Sequence, residues 1–108
     1  MTRKTMGLTT LHVLHAVAAG SRYGFDIMDA TDLPSGTVYP ALGRLERLGM
    51  LRGRWEDPRV ARREKRPPRK YYQMTKPGKA RLLEEARRIR ELDRMLPADL
   101  AALEALSG

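Results

Sequence analysis

The sequence predicts a mainly α fold: three short helices, then a β-hairpin with a basic tip, then one long helix. Three observations carry this expectation. Apolar residues recur at helical spacing in three successive segments before residue 50. Two runs of strand-forming residues, 51–56 and 69–74, flank a stretch rich in Pro and Arg. A further apolar series in steps of three and four then follows Thr75-Lys76-Pro77. At 108 residues, the length suits one compact unit rather than several.

The first helix is expected from Leu8 to Ala19, with Leu8, Leu11, Leu14, Val17 and Ala18 on one stripe, Val13 widening it and Gly20 closing it. A second, shorter helix runs from Tyr23 to Thr31 and carries Phe25, Ile27 and Met28. Gly24 inside it costs up to ~1 kcal/mol relative to Ala, which a close helix approach would explain. Asp26, Asp29 and Asp32 lack the alternating ligands, central Gly and terminal Glu of a calcium loop and read as a solvated acidic face.

Ser35-Gly36-Thr37 then signals a third helix start. Val38, Ala41, Leu42, Leu45 and Leu48 form one apolar face, opposite Thr37, Pro40, Arg44 and Arg47, with Tyr39 at the side. Pro40 is expected near the first turn, so the helix should start late or irregularly, and Gly49 ends it.

The hairpin carries most of the charge. The formal net charge is +8, and residues 52–74 hold nine basic groups against Glu56, Asp57 and Glu64, a local net of +6. The connection 57–68 reads as a loop containing Pro58, Pro67 and Pro68 and five of those nine cations. A solubilising loop is the bland reading. Nucleic acid is favoured because guanidinium forks match phosphate oxygens. An acidic membrane surface is weaker, since no apolar face accompanies the charge.

After the cap at Thr75, Leu82, Ala86, Ile89 and Leu96 make a seam suited to helix–helix association, interrupted at Asp93 and flanked by Leu83 and Leu92. Pro97 punctuates the chain, and Ala98 to Leu106 reads as a last short helix. The expected division is a 1–75 helical and hairpin unit followed by a 76–108 dimerisation segment.

Composition removes several functions. There is no cysteine, hence no thiol catalysis, Cys-based zinc site or disulfide framework. His12 and His15 lie one helical turn apart, too few for a zinc site without further ligands. No paired-carboxylate cleft signature or phosphate-binding glycine loop occurs, so neither an enzyme nor a cofactor is expected. No apolar run approaches the ~20 residues that span a bilayer, and no signal-peptide core opens the chain. A cytoplasmic protein without membrane attachment is the expectation.

Three helices, a hairpin and a trailing helix spell a winged helix-turn-helix. Its third helix needs an apolar back for docking and a polar front for the major groove. Arg44 can reach guanine O6/N7, Thr37 and Tyr39 can offer hydroxyls, and a basic hairpin tip can enter a narrow minor groove. Tyr23-Gly24-Phe25-Asp26-Ile27, Ser35-Gly36-Thr37-Val38-Tyr39-Pro40-Ala41-Leu42, Arg44-Leu45-Glu46, Leu48-Gly49 and Arg69-Lys70-Tyr71-Tyr72-Gln73-Met74-Thr75 with Gly78 resemble the PadR family of bacterial transcriptional regulators over about residues 8–92.

The resemblance implies a homodimer that binds double-stranded DNA, usually to repress at a palindromic operator. It places Ser35, Thr37, Tyr39, Pro40 and Arg44 on the recognition helix. Arg59, Arg62, Arg63, Lys65, Arg66, Arg69 and Lys70 fall on the wing, and Leu82, Ala86, Ile89 and Leu96 on the dimer seam. The wing is longer and more basic than the family needs, and the C-terminal region is short, which bears on whether a small-molecule effector has a pocket between subunits. Trp55 has two readings: packing against helix 1, which is favoured, or lining a dimer-centre cavity for aromatic ligands, as in some members. A non-sequence-specific architectural or RNA-binding module using the same fold is the alternative function, and a protein-interaction adaptor a third.

Overall fold

A computed structural model describes residues 6–96 and 104–106. The elements are α1 (Leu8–Ala18), α2 (Gly24–Thr31), α3 (Ser35–Arg47), β1 (Leu51–Trp55), α4 (Pro58–Arg63), β2 (Lys70–Met74) and α5 (Lys76–Met95). The mainly helical winged helix-turn-helix with a long following helix is the fold observed. Residues 104–106 are helical, and the rest of the expected Ala98–Leu106 helix lies outside the described residues.

One apolar cluster organises the body. Val13 and Leu14 of α1, Ile27 of α2 and Val38, Leu42 and Leu45 of α3 are all fully buried together, and Leu51 and Tyr72 extend the cluster into the hairpin root. The expected faces of α1 and α3 therefore point inward, apart from their ends: Leu8, Ala18 and Leu48 are exposed. Gly49, at φ +75°, closes α3 with the Met50 N–H on the Leu45 carbonyl at 2.9 Å, a turn that a side chain would strain. The strands pair antiparallel from Leu51↔Met74 to Trp55↔Lys70. Thr75 caps α5 by accepting the Gly78 N–H at 3.0 Å and donates to the Gly49 carbonyl at 2.6 Å, tying α5 to the end of α3.

Three expectations fail for identifiable reasons. The 57–68 connection is not wholly a loop. Asp57 accepts the Arg59 N–H at 2.9 Å with Pro58 next to it, so a cap and a first-turn proline start α4, and Ala61 is buried beneath it. The third helix does not start late: it begins at Ser35, with Pro34 accepting from Thr37 and Val38, each at 3.0 Å. Pro40 thus lies inside α3 and gives no N–H to the carbonyl of Gly36, which belongs to the exposed first turn. Trp55 does not pack on α1. It is 65% exposed on the hairpin and faces a cleft shared with α2 and α3.

Candidate nucleic-acid interface

The buried face of α3 fixes which side chains look outward. Pro40 and Arg47 are exposed at the centre of the outer face, with Ser35 and Gly36 exposed at the helix start. The N-cap is Pro34, which has no side-chain group to cap with, and Ser35 follows it as the exposed first residue of the helix. Arg44 is exposed but leans toward α1, donating at 3.4 Å to the hydroxyl of buried Thr10. Thr37 is half-buried. Tyr39 leaves the outer face sideways: a Cβ on Gly24 would stand 2.3 Å from its hydroxyl, so glycine is required where Tyr39 crosses α2. The close approach expected at Gly24 is real, and its partner is the tyrosine. Arg47, folded back over Gly43, stands exposed on the outer face where the helical wheel puts it, beside the expected groove contacts but not among them.

One ion pair ties the hairpin to α3, and others brace its tip internally. Lys70 donates to Glu46 at 2.9 Å, and a Cβ on Gly53 would stand 2.4 Å from the Lys70 Cε, so this glycine makes room for the bridge. Hydrogen bonding to Glu46 holds the Lys70 ammonium above its ordinary pKa. At the tip, Glu56 accepts from the guanidinium of Arg66 and from the Arg69 N–H at 2.9 Å. These partners, Arg66 first, hold the Glu56 carboxyl below the usual carboxylate range. Arg66 also meets Glu64 at 2.8 Å, and Arg59 meets Asp57 at 2.8 Å. Arg69 lies 4.2 Å over the ring of Tyr23, which meets Tyr71 edge-on.

The nine cations of 52–74 are therefore not equivalent. Arg59, Arg66 and Lys70 are ion-paired and Arg69 is stacked. Arg62, Arg63 and Lys65 stand exposed on α4 and the turn after it, while Arg52 and Arg54 stand exposed on β1. The seven wing cations look alike in the sequence because two of the pairs that sort them, Glu46 with Lys70 and Glu56 with Arg66, join residues 24 and 10 positions apart.

Two of the concavities beside this unit are mainly apolar or aromatic. The Trp55 cleft, about 270 Å³, is lined by Tyr23, Phe25, Tyr39, Trp55 and Tyr72 with Lys70 and Arg69 at its side. Lys70 lies 5.6 Å from the Tyr72 ring centre, and burial pushes the Tyr72 phenol upward. The second, about 340 Å³, is an apolar groove between α1 and α5, lined by Leu8, Leu11, His12, His15, Leu82, Ala86 and Ile89. The seam residues divide there. Leu82 is partly buried against the body's own core and Ala86 is half-buried, whereas Ile89 and Leu96 are exposed.

The description "Transcriptional regulator PadR-like family" fits residues 13–84, the span from α1 into α5. The chain belongs to this family. A PadR-like transcription factor of Bacteroides fragilis shares 26% identity at a TM-score of 0.71, covering 82% of this chain and 86% of its own. A PadR family regulator of Clostridium difficile, at 22% identity, shares the fold with a TM-score of 0.72 over 82% of this chain and 94% of its own. BpsR of Bordetella bronchiseptica, whose DNA binding is regulated by 6-hydroxynicotinic acid, shares the fold at 20% identity and TM-score 0.69, over 94% of this chain and 72% of its own. A comparison with curated proteins finds no significant match. This PadR-like chain is a DNA-binding transcription regulator and not an enzyme. No helix among the described residues is long and apolar enough to cross a membrane.

Proposed function

We propose that this PadR-like regulator is a cytoplasmic homodimer that reads a palindromic operator and represses from it. Residues 1–75 form the DNA-binding unit and 76–108 the dimerisation segment. The supporting observation is a polar α3 face, docked on a fully buried back, with the hairpin clamped to the same helix through Lys70 and Glu46. Ser35, Thr37, Tyr39, Pro40 and Arg44 take the groove contacts, and Arg62, Arg63 and Lys65 the neighbouring backbone. Leu82, Ala86, Ile89 and Leu96 meet their counterparts in a second copy, because exposed Leu8, Ile89, Leu92, Met95 and Leu96 would leave a monomer with an apolar stripe. The aromatic cleft at Trp55 is the place for a small-molecule effector. Trp55 is the only tryptophan, so its fluorescence reports occupancy directly.

Selection of bound fragments from a random duplex library tests the reading and gives half-site spacing. A regulator binds its selected site ~10³–10⁷ times tighter than random duplex, whereas an architectural or RNA-binding protein yields no such ratio. Light scattering should report a dimer, and Ile89→Asp should dissociate it and weaken operator binding. A monomer that added DNA leaves unchanged would exclude the dimeric reading.

A further inference from the structure

Residues directly opposite each other in an antiparallel pair share one face of the ribbon. Arg52 opposes Gln73 and Arg54 opposes Tyr71, so these four share a face. The other face carries Gly53 and Trp55 opposite Tyr72 and Lys70, and it is this second face that meets the core and Glu46. Arg22 reaches the first face from the α1–α2 loop, where its carbonyl accepts the Tyr72 N–H at 2.8 Å. Arg22, Arg52, Arg54, Tyr71 and Gln73, with Tyr72, line a cavity of about 310 Å³.

No carboxylate lines that cavity. Among the described residues, none of its three guanidinium groups is ion-paired, although Arg59, Arg66 and Lys70 of the same hairpin all are. Asp26, the acid beside Arg22, accepts that residue's backbone N–H at 2.9 Å rather than its side chain. Arg52 and Arg54 occupy successive positions on one face of one strand, so their charges repel unless an anion lies between them. The cavity thus brings together three uncompensated forks and the Gln73 amide.

We propose that this cavity is an anion site for a ligand bearing two or more linked phosphates. Guanidinium forks bind phosphate oxygens bidentately, and three guanidinium charges exceed the roughly two negative charges that one phosphate carries at pH 7. The volume falls at the lower end of small-molecule sites, roughly 300–1,000 Å³. The site occupies the hairpin face turned away from α3, distinct from both the groove-reading surface and the Trp55 cleft. It therefore stands or falls separately from the operator reading.

Titration calorimetry of the full chain with inorganic pyrophosphate, without DNA and at constant ionic strength, tests this. The expected result is saturable binding, one pyrophosphate per chain. Arg22→Gln, Arg52→Gln and Arg54→Gln should each weaken it about tenfold, the loss of one charge-assisted fork. The double variant Arg62→Gln/Arg63→Gln should bind as the parent does. Sulfate at equal ionic strength should bind at least about tenfold more weakly, since it offers one centre instead of two linked ones. All these arginines are exposed, so circular dichroism spectra and melts should be unchanged. Absence of saturation, equal binding of sulfate, or an equal loss in the α4 double variant overturns the proposal. So does a duplex-binding salt slope that falls in Arg52→Gln/Arg54→Gln as much as in the α4 variant, because the arginines would then be part of the duplex contact.

Discussion

The recognition helix and the hairpin next to it are held in place by different forces. Helix α3 rests on Val38, Leu42 and Leu45, each at 0% exposure, and its position owes nothing to a salt bridge of its own except the one it lends to Lys70. The hairpin is apolar only at its root, through Leu51 and Tyr72, with Ala61 as a small anchor under α4. Beyond the root, Tyr71 and Arg69 touch the Tyr23 ring, and Glu56 with Arg66, Asp57 with Arg59 and Glu46 with Lys70 supply most of the remaining hold. Apolar burial responds little to salt or pH, whereas ion pairs respond to both, less when partly buried. The orientation of the reading surface is thus insulated from conditions, and the posture of the arm is not.

Removing apolar support should show the largest effect. Leu42→Ala, at a fully buried site, should cost about 2–5 kcal/mol of stability in urea unfolding, with DNA binding lost as a consequence. A loss under ~1 kcal/mol would mean that α3 is not seated by its core.

Charge on the arm should behave in the opposite way. Replacing Arg62, Arg63 and Lys65 together by Ala should leave stability within about 0.5 kcal/mol, because none of them is ion-paired among the described residues. On DNA the effect is larger. If half of the six cations in a dimer reach phosphates, the salt slope should fall by about 3 and affinity near 0.15 M salt by roughly 10²-fold on every duplex. Coincident slopes for parent and variant would make this charge a solvated decoration.

Arg44→Ala should have a smaller and more selective effect, about 1–3 kcal/mol on the operator with preference relaxed at one base position. Competition with single-base operator variants measures it. Arg47→Ala is the comparison, since Arg47 stands on the outer face without the lean toward Thr10. If only Arg47 alters base preference, Arg44 serves to tether α3 to α1.

The same contrast explains what was legible in the sequence. Val38, Ala41, Leu42 and Leu45 announce the buried face of α3 because helical periodicity is local, and the strand pairing follows from two short runs of β-formers. The α4 start was readable in Asp57-Pro58, a cap followed by a first-turn proline, but the surrounding prolines and charge favoured a loop. The sorting of the wing cations was not readable. Asp57 and Arg59 are near neighbours, but Glu46 reaches Lys70 across 24 residues and Glu56 reaches Arg66 across 10, and no local pattern marks those two pairs. Tyr39 over Gly24 was half readable: the glycine signalled a close approach without naming what approaches.

The smallest expected effect tests the ionic half of the contrast alone. The Arg66 hydrogen bond holds the Glu56 carboxyl below its ordinary value. A carboxylate depressed in the folded state contributes stability that is fully present above its unfolded pKa, about 4.3 for Glu, and lost as pH falls through the lower folded value. Parent and Glu56→Gln should therefore differ in melting temperature by a constant amount between about pH 5 and 7, and the gap should close below about pH 4. Asp57 is also depressed, by Arg59, but it titrates in both proteins and cancels from the difference. Lys70 runs the other way: its raised value keeps the Glu46 bridge through neutral pH and releases it only as pH climbs past the ordinary lysine range. Leu42→Ala serves as the control, since its gap from the parent arises from apolar burial and should not vary with acid. A Glu56→Gln gap that stays open in acid would show that the arm is held by packing, as α3 is, and that the two regions do not differ in kind.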